Sequence, residues 1–183
     1  MTVGNILLPV CLLGALLAGT ARAGDIHLLV DTAAATLTVM EEGTEVRTFE
    51  DIAIGRFGTT RYKKRGDNRT PLGTYRIGWI TDESRYHRFL GINFPDLRTA
   101  SRAVFDGTIG MQQWEQIRRD VDNGKTPSQQ TPLGGYLGIH GIGAGDPEVH
   151  RQFNWTNGCI ALTNEQIDDL IQWVRVGTVV EIR

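Results

Sequence analysis

The chain has 183 residues, 40% hydrophobic and 22% charged, with 22 Gly and 6 Pro. These values exclude a disordered tail, a collagen-like repeat and a polytopic membrane protein. Net charge is −2 and the 19 basic residues are scattered, so no strong positive field marks a nucleic-acid partner, and one domain with its own core is expected.

The first segment reads as a leader. Ile6–Gly19 is an apolar run of 14 residues broken only by Pro9, and it ends in Ala21-Arg22-Ala23. Small residues at those two positions fit a secretory signal peptide over residues 1–23, with the mature domain over 24–183. The run is shorter than the roughly 20 residues that span a bilayer. Its first residues carry no Lys or Arg, which leaves an uncleaved anchor as the alternative. Cys11 lies in the leader, so the exported domain keeps one cysteine, Cys159. A lone thiol in an oxidising compartment is either buried and inert, paired with another chain, or functional.

After the leader, short Val/Ile/Leu/Thr-rich runs predict strands at Asp25–Asp31, Thr36–Met40 and Glu45–Ile54, with a tight turn at Glu41-Glu42-Gly43. Gly73–Ile80 and Phe89–Phe94 read as two more. Asp96 caps a short helix to Ala103, and Met111, Trp114, Ile117 and Val121 fall at helical spacing. Gly124–Gly135 is a loop, Tyr136–Ile142 a strand that delivers His140, Asn164–Val174 an amphipathic helix capped by Thr163 or Asn164, and Thr178–Ile182 the last strand. The pattern predicts a mainly β domain, a sandwich or partly open barrel with a few short helices.

Four histidines are available to a reactive thiol. His27 reads as a strand surface residue and His150 as a solvated side chain in the polar stretch Asp146–Gln152. His87, in Ser84-Arg85-Tyr86-His87-Arg88, either lines a pocket or is exposed. His140 sits among apolar residues and glycines at a strand end, where a core histidine and a site histidine are both reasonable. One cysteine and dispersed histidines lack metal-ligand spacing, so no metal and no cofactor are expected. In Asn154-Trp155-Thr156-Asn157-Gly158-Cys159, Gly158 permits close backbone approach, and a loop-to-strand corner there can aim amides at one point.

His140, fifteen residues, then Thr156-Asn157-Gly158-Cys159 resembles the signature of the L,D-transpeptidase catalytic domain, the YkuD-like family. Gly66–Ile77 is similar to its Thr-Pro-x-Gly segment, Ser84–Pro95 to its His-x-x-Leu-x-Ile-x-Tyr-Pro segment, and Thr163-Asn164-Glu165 with Gly177–Ile182 to its carboxy-terminal helix and strand. The resemblance implies a YkuD-like β-sandwich fold and an exported, periplasmic, cell-wall-associated enzyme of peptidoglycan, active in cell wall biogenesis and cell shape. Cys159 would attack the bond between a diamino acid and D-Ala in a tetrapeptide stem. The resulting thioester would pass to an amine on a second stem or a lipoprotein. The same chemistry with water would give an L,D-carboxypeptidase or an amidase that releases lipoprotein from the wall. The resemblance makes His140 general base and then acid, gives Gly158 an oxyanion amide, and lets the Gly141 carbonyl orient the imidazole. Thr156, Asn157, Trp155, Tyr86 and His87 become substrate-facing candidates. Asn157 stands where many members have His, and Ala161 where many have Arg. The segment Phe105–Gly135 is expected either to cover the cleft as a lid or to pack away from it.

Overall fold

The computed structural model describes Met1 and residues 25–183; apart from Met1, the expected leader lies outside the described residues. Strands β1 (Ile26–Asp31), β2 (Thr36–Glu41) and β3 (Thr44–Phe49) form an antiparallel meander. Glu42 and Gly43 join β2 to β3, both at positive φ, the conformation that suits a two-residue hairpin turn. Leu28, Val30, Leu37 and Val39 are fully buried, so the period-two pattern of β1 and β2 faces one core.

Two minor strands, β4 (Thr59–Thr60) and β5 (Thr70–Pro71), pair in parallel apart from the main sheet. Strand β6 (Gly73–Ser84) forms a hairpin with β7 (His87–Ile92). Then come β8 (Gly138–His140), β9 (Ile160–Ala161) and β10 (Val179–Ile182). The main sheet runs β3-β2-β1-β10-β6-β7-β8-β9, with parallel pairs at β1–β10 and β8–β9. The expected mainly β fold with few short helices is therefore what the chain adopts. The sheet curls without closing: Ala53, just past β3 at one edge, exchanges backbone hydrogen bonds with Ala161 in β9 at the other, at 3.0 and 2.7 Å.

The described residues hold four helices: α1 (Leu97–Phe105), α2 (Met111–Asp122), α3 (Pro147–Gln152) and α4 (Asn164–Leu170). Asp96 Oδ1 accepts from the Thr99 amide and caps α1 as expected. Thr163 and Gln166 cap α4 reciprocally. Several boundaries differ from the sequence reading, for local reasons. The strand from Glu45 stops at Phe49 because Asp51 takes φ +58 and redirects the chain. The strand from Tyr136 starts only at Gly138, since Tyr136 takes φ +53. Asp146 and Pro147 start a helix in what reads as a polar stretch, an N-cap and N1 pair. The lid expectation fails for α2. Trp114 donates from Nε1 to Ser101 Oγ on α1 at 3.0 Å, and Ile117 enters the core.

Candidate active site

The parallel β8–β9 pair builds the site. His140 lies opposite Ala161 in register, so both strand ends open on the same side. Gly158 turns the chain into β9 at φ +127, a conformation reserved almost entirely for glycine. A Cβ there would stand 2.6 Å from the Arg69 carbonyl oxygen and 3.2 Å from Leu137 Cδ2. Thr156 staples this corner: its buried hydroxyl donates to the Cys159 carbonyl at 2.7 Å and accepts from the Gly158 amide at 3.1 Å. The Gly158 N–H is thus committed to Thr156 rather than free for an oxyanion. No acceptor among the described residues takes the Cys159 N–H, which leaves it at the corner.

Cys159 is half-buried, and its Sγ donates to the Tyr136 carbonyl at 3.6 Å. Burial pushes the thiol up to about 11, against the opposing pull of the Gly138 amide and the Lys63 charge. His140 is 2% exposed. Its Nδ1 lies 2.7 Å from the Gly141 carbonyl, which only accepts, so Nδ1 carries the proton and Nε2 keeps its lone pair. Burial drives this imidazole down to about 4, and the nearby His150 and Arg85 charges act in the same direction, while the Gly141 bond opposes them. Gly141 tolerates no Cβ, which would meet Asn164 Oδ1 at 2.6 Å and the Tyr86 carbonyl at 2.9 Å.

Aromatic rings hold the imidazole in place. Tyr86 stacks on it at 4.2 Å and 25°, Phe89 lies at 5.8 Å and 10°, and Trp155 meets it edge-on at 5.8 Å and 63°. Trp155 is fixed in turn by His150, whose Nδ1 accepts the indole N–H at 3.3 Å. His150 is 3% exposed, so the solvated side chain read from the sequence is instead a buried support, placed by α3. His27 is half-buried within β1.

A cleft of about 870 Å³ collects His140, Cys159, Tyr86, Trp155, Thr156 and Asn157. Of the expected site residues these six line the cleft, while Gly141 and Gly158 only adjoin His140 and Cys159 in the chain. His87 also lies outside this lining: at φ +73, as the first residue of β7, its Nε2 points to the Asp168 carboxylate at 2.9 Å. Of the Phe105–Gly135 segment only Gly135, at its end, reaches the cleft. Sequence reasoning missed Arg56 and Phe89, which also line it. Phe89 was legible only as a strand residue. Arg56 belongs to no motif and arrives through the Gly55–Thr156 bridge.

Residues 25–182 match the family model of the L,D-transpeptidase catalytic domain, YkuD. No curated protein sequence matches the chain. The fold is similar to the helical cell shape determining protein Pgp2 of Campylobacter jejuni, at TM-score 0.58 and 21% identity, over 88% of this chain and 48% of that one. It is also similar to Bd1075 of Bdellovibrio bacteriovorus, at TM-score 0.54 and 19% identity, over 90% and 50%. An L,D-transpeptidase of Xylanimonas cellulosilytica gives 0.50 and 15%, over 89% and 62%. The chain thus spans about half the length of the first two.

Proposed function

Because the chain belongs to the L,D-transpeptidase catalytic-domain (YkuD) family, we propose that it is an exported cysteine acyltransferase of peptidoglycan stems. Its donor is a tetrapeptide ending in a diamino acid and D-Ala. The observation that carries this reading is the 2.7 Å contact of His140 Nδ1 with the Gly141 carbonyl. With Nδ1–H fixed on Gly141, the lone pair of Nε2 is the base left for the one thiol in the same cleft.

Both partners rest neutral, since the thiol is held high and the imidazole low. Proton transfer therefore accompanies attack. The Cys159 S–H proton passes to Nε2 as sulfur bonds to the diamino-acid carbonyl carbon. The oxyanion that forms meets the Cys159 amide, supported by the corner that Thr156 staples. The C–N bond then breaks, Nε2 protonates the departing amine, and D-Ala leaves a thioester on Sγ. An acceptor amine attacks that thioester, gives a proton to Nε2, and sulfur leaves to recover its own. A second stem is the acceptor in this reading. The leader-like run Ile6–Gly19 supports export to the wall.

Muropeptide analysis of sacculi incubated with the purified chain tests this reading. Crosslinks between diamino acids, with release of D-Ala, are expected. Tripeptides alone would assign water as acceptor, and released lipoprotein would assign the amidase. Unchanged sacculi, or equal products from Cys159→Ala, would remove the proposal.

A further inference from the structure

The cleft carries three formal charges: Glu83, Arg85 and Arg56. Arg85 is committed to Tyr86. Its Nη2 donates to the phenol oxygen at 2.6 Å, and its guanidinium lies 4.7 Å from the ring centre. Arg56 is placed differently. It ends the segment that links the two edges of the curled sheet, where Ala53 bridges Ala161 and Gly55 bridges Thr156. The Arg56 amide donates to the Thr156 carbonyl at 3.0 Å. Gly55 fits only without a side chain, since a Cβ would stand 2.6 Å from the Asn68 carbonyl oxygen. The backbone that presents Arg56 is therefore fixed against the nucleophile loop.

The side chain is tethered to the same loop. One nitrogen, Nη2, donates to Asn157 Oδ1 at 2.7 Å and to the Trp155 carbonyl at 3.3 Å. Both acceptors are neutral, and both lie within the three residues before Gly158-Cys159. The rest of the guanidinium keeps its donors and its charge for a ligand. No cation comes from the strand after Cys159, because Ala161 is buried and apolar.

Among the described residues no carboxylate pairs with this fixed guanidinium, Glu83 included, and a free cation in the nucleophile's cleft calls for an anion on the substrate. A donor stem has one in reach. The carboxylate carbon of a terminal D-Ala is three bonds from the attacked carbonyl carbon, under roughly 4 Å. We propose that Arg56 is the residue that selects donors ending in a free α-carboxylate, and that Asn157 positions it. This rests on the donor reading given above. A guanidinium presents paired N–H groups that match a carboxylate, whereas a carboxamide offers one acceptor and no charge.

The test is titration calorimetry on the full chain carrying Cys159→Ala, which binds a donor without consuming it. The probes are two tetrapeptides ending in diamino acid–D-Ala, one with a free carboxylate and one amidated. The carboxylate form is expected to bind at least about 10-fold more tightly. Arg56→Gln weakens it by about 10- to 100-fold, the range for a hydrogen-bonded charge pair, and leaves the amidated form within about twofold. Arg56→Lys restores part of the loss. Equal weakening of both forms by Arg56→Gln, no preference in the parent, or no binding of either peptide overturns the proposal. D-Ala release by the chain with Cys159 intact is measured in parallel. Carboxylate-selective, Arg56-dependent binding without D-Ala release removes the transpeptidase reading and keeps the clamp. D-Ala release with Arg56-independent binding removes the clamp and keeps the reading.

Discussion

Replacing Gly158 with Ala probes the corner on which the site depends. At φ +127 an L side chain costs about 1–3 kcal/mol in backbone strain. The new Cβ also starts 2.6 Å from a backbone oxygen, that of Arg69, and a backbone atom cannot step aside as a flexible side chain would. Overpacking of this kind costs about 1–3 kcal/mol more. Together they give about 2–6 kcal/mol, against a typical total of about 5–15 kcal/mol. Gly177→Ala is the internal control. It also carries positive φ, +96, but a Cβ there meets nothing within 4 Å. Urea unfolding followed by tryptophan fluorescence should show Gly158→Ala less stable than Gly177→Ala by about 1–3 kcal/mol, the clash alone. Iodoacetamide should also alkylate Cys159 at an altered rate only in the Gly158 variant. Equal stabilities for the two variants would refute the reasoning about this corner.

Two pH dependences follow from the site. The neutral resting pair predicts kcat/KM for D-Ala release that is flat between about pH 5 and pH 10. It falls in acid as His140 protonates near 4 and loses its lone pair. A bell with both limbs falling inside that plateau would contradict the assignment. Stability follows the same imidazole. Its folded value lies below the unfolded value near 6.5, so the unfolded chain binds the proton first and stability is lost as pH falls from about 6.5 toward 4. This group should make the chain about 2–3 kcal/mol less stable at pH 4.5 than at pH 7.5. His140→Gln should shrink that difference by the same amount in urea midpoints, and an unchanged difference would show that the imidazole is not held neutral by burial.

The parts of the fold that local chemistry dictates were legible in the sequence. Asp96 and Thr163 cap helices where their side chains can reach the first free amides. The Val/Ile/Leu/Thr-rich runs at Asp25–Asp31 and Thr36–Met40 gave β1 and β2 to within a residue. Strand ends were less legible, because Asp51 and Tyr136 adopt positive φ without being glycine. His140 and Cys159 were readable because their spacing carries a resemblance. His150 was not, since a polar stretch hides a short helix that turns it inward against Trp155. Arg56 was equally hidden: only the bridge between Gly55 and Thr156 places it beside the nucleophile loop. His87 misled in the opposite sense, matching a family segment while its side chain turns to Asp168.

The central claim is that Cys159 carries the acyl group, and intact-protein mass spectrometry of the chain quenched in acid during reaction with a tetrapeptide donor tests it most directly. The account predicts one added tripeptide acyl group per chain, lost on treatment with hydroxylamine and mapped to the peptide that contains Cys159. The same adduct on Cys159→Ala, or D-Ala release with no acyl group on the chain at any quench time, would contradict it.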